Sequence, residues 1–209
     1  MSITTVTDYP CIGICVTPRA TIRSVVDRNP RRWIVPIAVV AGLVAGIANV
    51  FGAFSLHHTD FEMRMISVTF SRMPGPMRLA TAILWPLASV AFLYIDGSLT
   101  RWTGGLLGGT ADTAEARAAA GWARVPLALF ILACLVVELV MPRTSWVSYA
   151  ILTPILIWAL VIWFKSVAEV HRFSVWRGAA AWLIEVLFLI GAVTIVETVV
   201  VLSVFPFLS

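Results

Sequence analysis

The sequence predicts an all-α fold: a polytopic membrane bundle of five transmembrane helices, preceded by a short N-terminal interfacial helix. Of the 209 residues, 60% are hydrophobic and only 12% are charged, and the mean hydropathy is +0.94. A soluble domain of this size cannot cover so apolar a surface with polar groups. Five stretches also reach the roughly 20 apolar residues that a membrane-crossing helix needs. They are Trp33–Leu56, Arg78–Leu99, Trp122–Met141, Trp146–Phe164 and Gly178–Phe205.

The N-terminal tail, residues 1–32, contains the predicted interfacial helix. Thr17 is a residue type that caps helix N-termini, and Pro18 suits the first helical turn. Three apolar residues share one face, and an (i, i+4) ion pair lies on the other: Ile22, Val25 and Val26 against Arg23 and Asp27. We expect this helix to lie on the inner leaflet, with five arginines at the level of the lipid headgroups. These arginines are Arg19, Arg23, Arg28, Arg31 and Arg32.

Residues 33–209 read as one five-span domain, because no linker separates its apolar segments. Basic residues near span ends favour the cytoplasmic side. With the N-terminus inside, eleven Arg and Lys residues fall in inside segments and four in outside segments. The N-terminus is therefore predicted to be cytoplasmic and the C-terminus periplasmic. Fourteen arginines against one lysine are typical of a GC-rich bacterial sequence, so the bacterial cytoplasmic (inner) membrane is the expected location. No cleavable signal peptide is recognised, and the first span is expected to stay as an anchor.

Five polar residues interrupt the apolar runs and are the candidate functional residues of the membrane: Asp96, Glu138, Glu185, Glu197 and Asn49. A charged side chain at mid-membrane costs about 3 kcal/mol on insertion scales, so such residues face the bundle interior or a headgroup. Only Glu185 and Glu197 lie deep in a span, and their spacing places them about 120° apart around one helix. Two interpretations stay open. The acids form a proton or cation path, or they are hydrogen-bonded interior groups that fix helix packing.

The first span carries small residues at Gly42 and Gly46. Small residues at this spacing let two helix backbones approach closely. The partner of this face is either another span of the same chain or a second copy of the chain.

The connection between the second and third spans predicts a bend followed by a helix. The glycines that begin at Gly104 predict a flexible bend. Asp112 followed by Glu115 is the spacing of a capping box. The alanine-rich helix that follows suits tight packing under the membrane.

No catalytic or metal-binding signature is recognised in the sequence. Cys11 and Cys15 lack the CxxC spacing, and Cys134 lies alone in an apolar run. The polar run at 57–62 is interpreted as a solvated loop rather than a metal site. Basic residues flank apolar segments, which indicates membrane topology rather than nucleic-acid binding. We therefore expect no enzymatic activity, no cofactor, no metal and no nucleic-acid partner.

Three groups of residues follow, in order, the pattern of one known family. They are Pro18, Thr21, Arg23, Asp27 and Pro30 before the first span, then Gly108, Gly109 and Pro126, and finally His171 and Ser174 before the last span. In these residues the chain resembles the YIP family of five-span membrane proteins, named for binding Ypt/Rab GTPases, and specifically its bacterial branch. Ile22 stands where that family usually has Phe. The long acidic N-terminal region of the eukaryotic members has no counterpart here, so Rab binding is not expected. The resemblance implies the fold and the membrane placement.

The predicted function is that of a membrane adaptor or organiser. It would bind membrane lipids, other membrane proteins or a second copy of itself, through its basic inner face and helix surfaces. The alternative is a small permease or a transporter of lipids or ions, working as an oligomer around Glu185 and Glu197. A conduit needs a continuous path of polar partners, whereas an adaptor can bury its acids in isolated hydrogen bonds.

Overall fold

The computed structural model describes residues 9–50, 75–140 and 145–204, and eight α-helices make up nearly all of this part. In chain order they are α1 (Pro10–Val16), α2 (Pro18–Arg28), α3 (Ile34–Val50), α4 (Gly75–Leu106), α5 (Thr113–Trp122), α6 (Arg124–Val140), α7 (Ser145–His171) and α8 (Val175–Val204). All regular secondary structure within these ranges is helical. The predicted all-α fold is confirmed.

Within the described residues, four helical segments are long and apolar enough to cross a membrane. They are Gly75–Leu106, Thr113–Val137 (which takes in α5 and most of α6), Ala150–Val170 and Val175–Ile195, and a shorter apolar helix covers Ile34–Ala48. In order, these five correspond to the five predicted spans. In the last of these segments, only 17% of the 18-residue apolar stretch is buried. This is expected of a helix whose apolar surface faces lipid. The molecule is therefore a polytopic helical membrane bundle.

Three shorter helices, α1, α2 and α5, pack together at one end of this bundle. We call them the cap, and the end of the bundle that they cover the capped end. The largest buried apolar cluster lies here and joins the cap to the spans through Ile14, Ile22, Ile34, Leu93 and Trp122.

The helix predicted in the N-terminal tail begins at Pro18, as expected, but Thr17 does not cap it. The Thr17 hydroxyl instead donates to the Gly13 carbonyl, 3.3 Å away in α1. The apolar face of α2 packs on protein: Ile22 is fully buried, and Val25 belongs to the same buried cluster. This face holds the helix to the bundle and is not available to the lipid.

The small-residue face of α3 packs against α4. A Cβ added to Gly42 would lie 2.7 Å from the Pro86 Cα, and one added to Gly46 would lie 2.7 Å from the Ala82 carbonyl oxygen. No side chain larger than hydrogen fits such an approach. The face is thus used within the chain, the first of the two alternatives, and self-association would need another surface.

The end of α4 differs from the prediction. The predicted span ended at Leu99, but α4 continues through Gly104 and Gly105. The turn falls at Gly108, whose φ of +83° is left-handed. The N–H of Gly109 donates to the Gly104 carbonyl (2.8 Å), and that of Gly108 to the Gly105 carbonyl (3.0 Å). This pair of bonds is a Schellman motif. The expectation of a flexible bend from Gly104 is wrong, because hydrogen bonds close the helix end.

The capping box of α5 is confirmed. The Asp112 carboxylate accepts from the N–H groups of Ala114 (2.7 Å) and Glu115 (2.8 Å). The Glu115 carboxylate accepts from the Asp112 N–H (2.8 Å). The alanines that follow are fully buried, at Ala116, Ala118, Ala119 and Ala120, so the helix packs tightly as expected.

Candidate functional site

The helices α4 and α7 end side by side at the capped end, with the ring of His171 between them. His171 is fully buried, and its Nε2 lies 3.1 Å from the Thr100 carbonyl oxygen. Because a carbonyl only accepts, we assign the ring hydrogen to Nε2. A Cβ on Gly104 or on Gly109 would overlap the imidazole. Glycine at these two positions therefore makes the space that the ring fills.

A second Schellman motif ends α7. The Phe173 N–H donates to the Ala168 carbonyl (3.1 Å) and the Arg172 N–H to the Glu169 carbonyl (3.2 Å). Arg172 takes the left-handed position, with a φ of +58°, where glycine is usual. Phe173 then stacks on His171, with ring centroids 5.2 Å apart and planes 6° from parallel. The imidazole is thus held by a ring as well as by the two glycines.

Burial lowers the pKa of His171 below its ordinary value of 6.5. The Thr100 carbonyl and the charge of Glu115 act in the opposite direction but more weakly. Within the described residues, the Nδ1 atom has no hydrogen-bond partner. A proton added there would place a charge on a buried atom without an acceptor, so this environment favours the neutral ring.

A polar cluster lies inside the bundle about one helical turn beyond this junction. We define it by Asp96, Thr100, Arg124 and Glu185. Arg124 is 8% exposed, and its guanidinium lies 3.3 Å from the Asp96 carboxylate and donates to the Ser89 carbonyl at 2.6 Å. Glu185 is 4% exposed and accepts from the Thr100 hydroxyl at 3.4 Å. Within the described residues, the other carboxyl oxygen of Glu185, Oε1, is buried without a hydrogen-bond partner. One arginine and one hydroxyl thus serve two carboxyl groups.

The cluster unites two of the five polar residues predicted from the apolar runs, Asp96 and Glu185. The sequence placed Asp96 near the end of its span and counted Arg124 among the basic residues of the cytoplasmic segments. In the structure the two side chains pair with each other and both are largely buried, a contact that was not predicted. The (i, i+4) spacing of Asp96 and Thr100 puts them on one face of α4 and is the signal that was missed. The side chains of Asn49, Glu138 and Glu197, and the polar run at 57–62, lie outside the described part of the chain.

A cavity of about 290 Å³ adjoins the cluster. Asp96 and Glu185 line it together with Trp163 and Trp182, and the rest of its lining is apolar. In the part of the chain that the structure describes, the two carboxyl groups therefore line a mainly apolar cavity and not a continuous row of polar groups.

The cap is fixed to α7 by charge. Glu169 accepts from the Arg23 Nε at 2.7 Å and also from its terminal guanidinium nitrogen, and the Arg19 Nε lies 3.8 Å away. The predicted pairing of Arg23 with Asp27 is therefore wrong. Glu169 is 11% exposed, so its charge is less screened than that of Asp27 on the exposed face of α2.

The five arginines predicted to contact headgroups divide into two sets. Arg19 and Arg23 pair with Glu169 inside the molecule, although both stay partly exposed. Arg28 at the end of α2, and Arg31 and Arg32 just before α3, are exposed. Within the described residues, no acidic side chain forms an ion pair with this second set, which leaves a basic surface where the first span begins.

These helices and buried charges define an integral, polytopic helical membrane protein. The family model for the Yip1 domain matches residues 12–196, and the chain belongs to this family. The resemblance found in the sequence motifs is thereby confirmed, while placement in the bacterial branch stays a prediction. No curated protein and no solved structure is a significant match.

Several of the residues that carried the resemblance are buried or in contact with one another in the structure. Gly109 and His171, far apart in sequence, are in direct contact. Thr21 is buried in α2, and Pro126 is buried near the start of α6. Ser174 accepts from two backbone N–H groups at the start of α8. In this chain, several of the family-like positions thus build the junction between the cap and the spans.

Proposed function

We propose that this protein is a non-enzymatic adaptor or organiser of the bacterial cytoplasmic membrane, acting through the basic surface of its cap. The observation that carries the proposal is that the cap is packed and ion-paired to the spans while three of its arginines remain exposed. Ile22 is fully buried and Glu169 binds two arginines, while Arg28, Arg31 and Arg32 are exposed. A rigid scaffold that presents charged groups is suited to binding anionic lipids and proteins. The excess of basic residues supports a cytoplasmic position for this face.

The polar cluster supports a structural role for the intramembrane acids. Glu185 accepts from Thr100, Arg124 pairs with Asp96, and the adjoining cavity is apolar elsewhere. A packing device can bury its acids in a few local contacts, whereas a conduit needs polar groups that continue across the membrane.

The proposal is tested by removing the exposed charges. The triple variant Arg28→Gln, Arg31→Gln, Arg32→Gln and the native chain are purified in mild detergent, and co-purifying proteins and lipids are quantified by mass spectrometry. We expect the variant to lose a distinct set of them. The matched control is the triple variant Arg101→Gln, Arg172→Gln, Arg177→Gln, which removes the same charge from exposed positions elsewhere. Equal retention by all three proteins would contradict the proposal.

Two further measurements test the predicted topology and the alternative function as a transporter. Cysteine labelling at Thr7, Thr59 and Ser209, after removal of the native cysteines, tests whether the N-terminus is cytoplasmic. Glu185→Gln, which preserves hydrogen bonding, should leave the fold intact and show no change in liposome flux. Loss of a proton or cation flux at an unchanged melting point would instead support a transporter.

A further inference from the structure

A cleft of about 410 Å³ lies between the cap and the start of the first span, and we call it the basic cleft. Its polar and aromatic lining consists of Ser24, Arg28, Asn29, Arg32, Trp33 and Trp122. Among the residues that the structure describes there, two carry positive charge and none carries negative charge. Its size falls within the roughly 300–1,000 Å³ of small-ligand sites.

Trp122 lines this cleft and carries a hydrogen-bond donor that is unused within the described residues. The side chain is 3% exposed, and its indole Nε1–H has no acceptor within the described residues. Indole nitrogen can only donate, and a buried donor without an acceptor is unfavourable. A ligand oxygen that came within hydrogen-bonding distance of this N–H would satisfy it.

The backbone beside the cleft is in an uncommon conformation. Trp33 has a φ of +68°, a left-handed value that is rare for a bulky residue. The Arg32 guanidinium lies over the Trp33 ring, 5.8 Å from its centroid. Such conformations persist where the surroundings fix them, and they concentrate at ligand sites. Here the turn keeps an arginine and a tryptophan together at the edge of the first span.

We propose that the basic cleft binds the phosphate of an anionic phospholipid headgroup. The inference rests on the proposed function and specifies its lipid ligand. Arg28 and Arg32 present planar guanidinium groups that suit phosphate oxygens, and Trp122 donates a third hydrogen bond. The occupant is a lipid and not a soluble phosphate because the cleft lies at the start of α3. That helix leaves Val35 and Val40 exposed, so acyl chains can lie along it.

The test follows the indole resonances of protein labelled with ¹⁵N-tryptophan in detergent micelles. Short-chain phosphatidylglycerol, short-chain phosphatidylcholine and inorganic phosphate are titrated separately. Trp122→Phe assigns the Trp122 resonance. We expect phosphatidylglycerol to shift it downfield in a saturable way, with little response to the other two additives. Trp163 is the internal control, because its indole N–H is also buried without an acceptor in the described part of the chain, and Trp163 lines the cavity beside Asp96 and Glu185. Its resonance should not move.

Charge variants then locate the binding. Arg28→Gln with Arg32→Gln should weaken phosphatidylglycerol binding by about tenfold or more, as expected on losing charge-assisted hydrogen bonds. Arg101→Gln with Arg177→Gln removes equal charge from exposed positions outside the cleft and should weaken it by less than about threefold.

Each other outcome overturns the inference. An equal response to inorganic phosphate would identify a soluble ligand, and an equal response to phosphatidylcholine would remove the need for an anionic headgroup. A silent Trp122 resonance would mean that the cleft is empty of lipid. If the adaptor triple variant still loses lipid in that case, diffuse charge explains the binding and the proposed function survives. If that variant also retains its lipid, the lipid part of the proposed function fails as well.

Discussion

Replacing Gly104 by alanine should destabilise the protein, while the same change at Gly105 should not. Both glycines lie in the last turns of α4, so each substitution adds one methyl group to the same kind of backbone. A Cβ at Gly104 would overlap the His171 ring, whereas one at Gly105 meets nothing within 4 Å. The pair therefore isolates the contact with the imidazole.

The expected magnitude follows from two opposing effects. Alanine in place of a helical glycine stabilises by about 0.5–1 kcal/mol, and both variants receive this gain. A methyl group forced into a packed site lowers the free energy of unfolding by about 1–3 kcal/mol. The upper part of this range applies at Gly104, because Gly109 and Phe173 also contact the ring and leave it little room to move. We expect the two variants to differ by about 3 kcal/mol.

The assay is reversible unfolding in mixed micelles, followed by far-UV circular dichroism, on both variants and the native chain. Gly105→Ala should be equal to the native chain or up to about 1 kcal/mol more stable. Gly104→Ala should be about 2 kcal/mol less stable than native, which is the overpacking loss less the helix gain. If the two variants agreed within about 0.5 kcal/mol, the junction around His171 would not be packed as described.

The remaining predictions concern the polar cluster and His171. Arg124→Gln should lower the free energy of unfolding by about 3 kcal/mol, because it leaves the buried Asp96 carboxylate unpaired. Adding Asp96→Asn should recover part of that loss, and no recovery would argue against the ion pair. Because the folded-state pKa of His171 lies below 6.5, the unfolded chain alone takes up that proton as the pH falls from 6.5 towards the folded value. Stability should fall over this window by at most about 1.4 kcal/mol per pH unit, and a His171→Gln variant with the same slope would refute the assignment. In a double-mutant cycle, His171→Gln and Glu185→Gln should be non-additive by at least about 0.5 kcal/mol, and strict additivity would show that the two sites are independent.

The features that sequence predicts well are those that depend on local chemistry. The five apolar segments follow from composition and length alone. The capping box depends only on the spacing of Asp112 and Glu115, and the structure has it. The start of α2 at Pro18 follows from the geometry of proline at a helix N-terminus.

Contacts between distant segments decided the remaining features. Arg23 has an acid one helical turn away, yet it binds Glu169 on α7, which no local rule indicates. Arg124 appears in the sequence as one more basic residue beside a span, and only the fold shows that it faces Asp96. The glycines at the end of α4 suggested flexibility from the sequence alone. In the structure, Gly104 instead makes room for the His171 ring from another helix. In each case the partner lies on another helix, and periodicity carries no information about it.

Thr100 connects the two sites that the structure places near the capped end. Its carbonyl oxygen faces the His171 ring, and its hydroxyl donates to Glu185. A shift of the end of α4 at the junction would therefore move the only hydroxyl that the described residues offer to Glu185. The cap is tied to the same place, because Glu169 lies two residues before His171 and binds Arg23. The exposed surface of the cap and the hydrogen bonding of Glu185 are thus connected by one short chain of contacts, through Arg23, Glu169, His171 and Thr100.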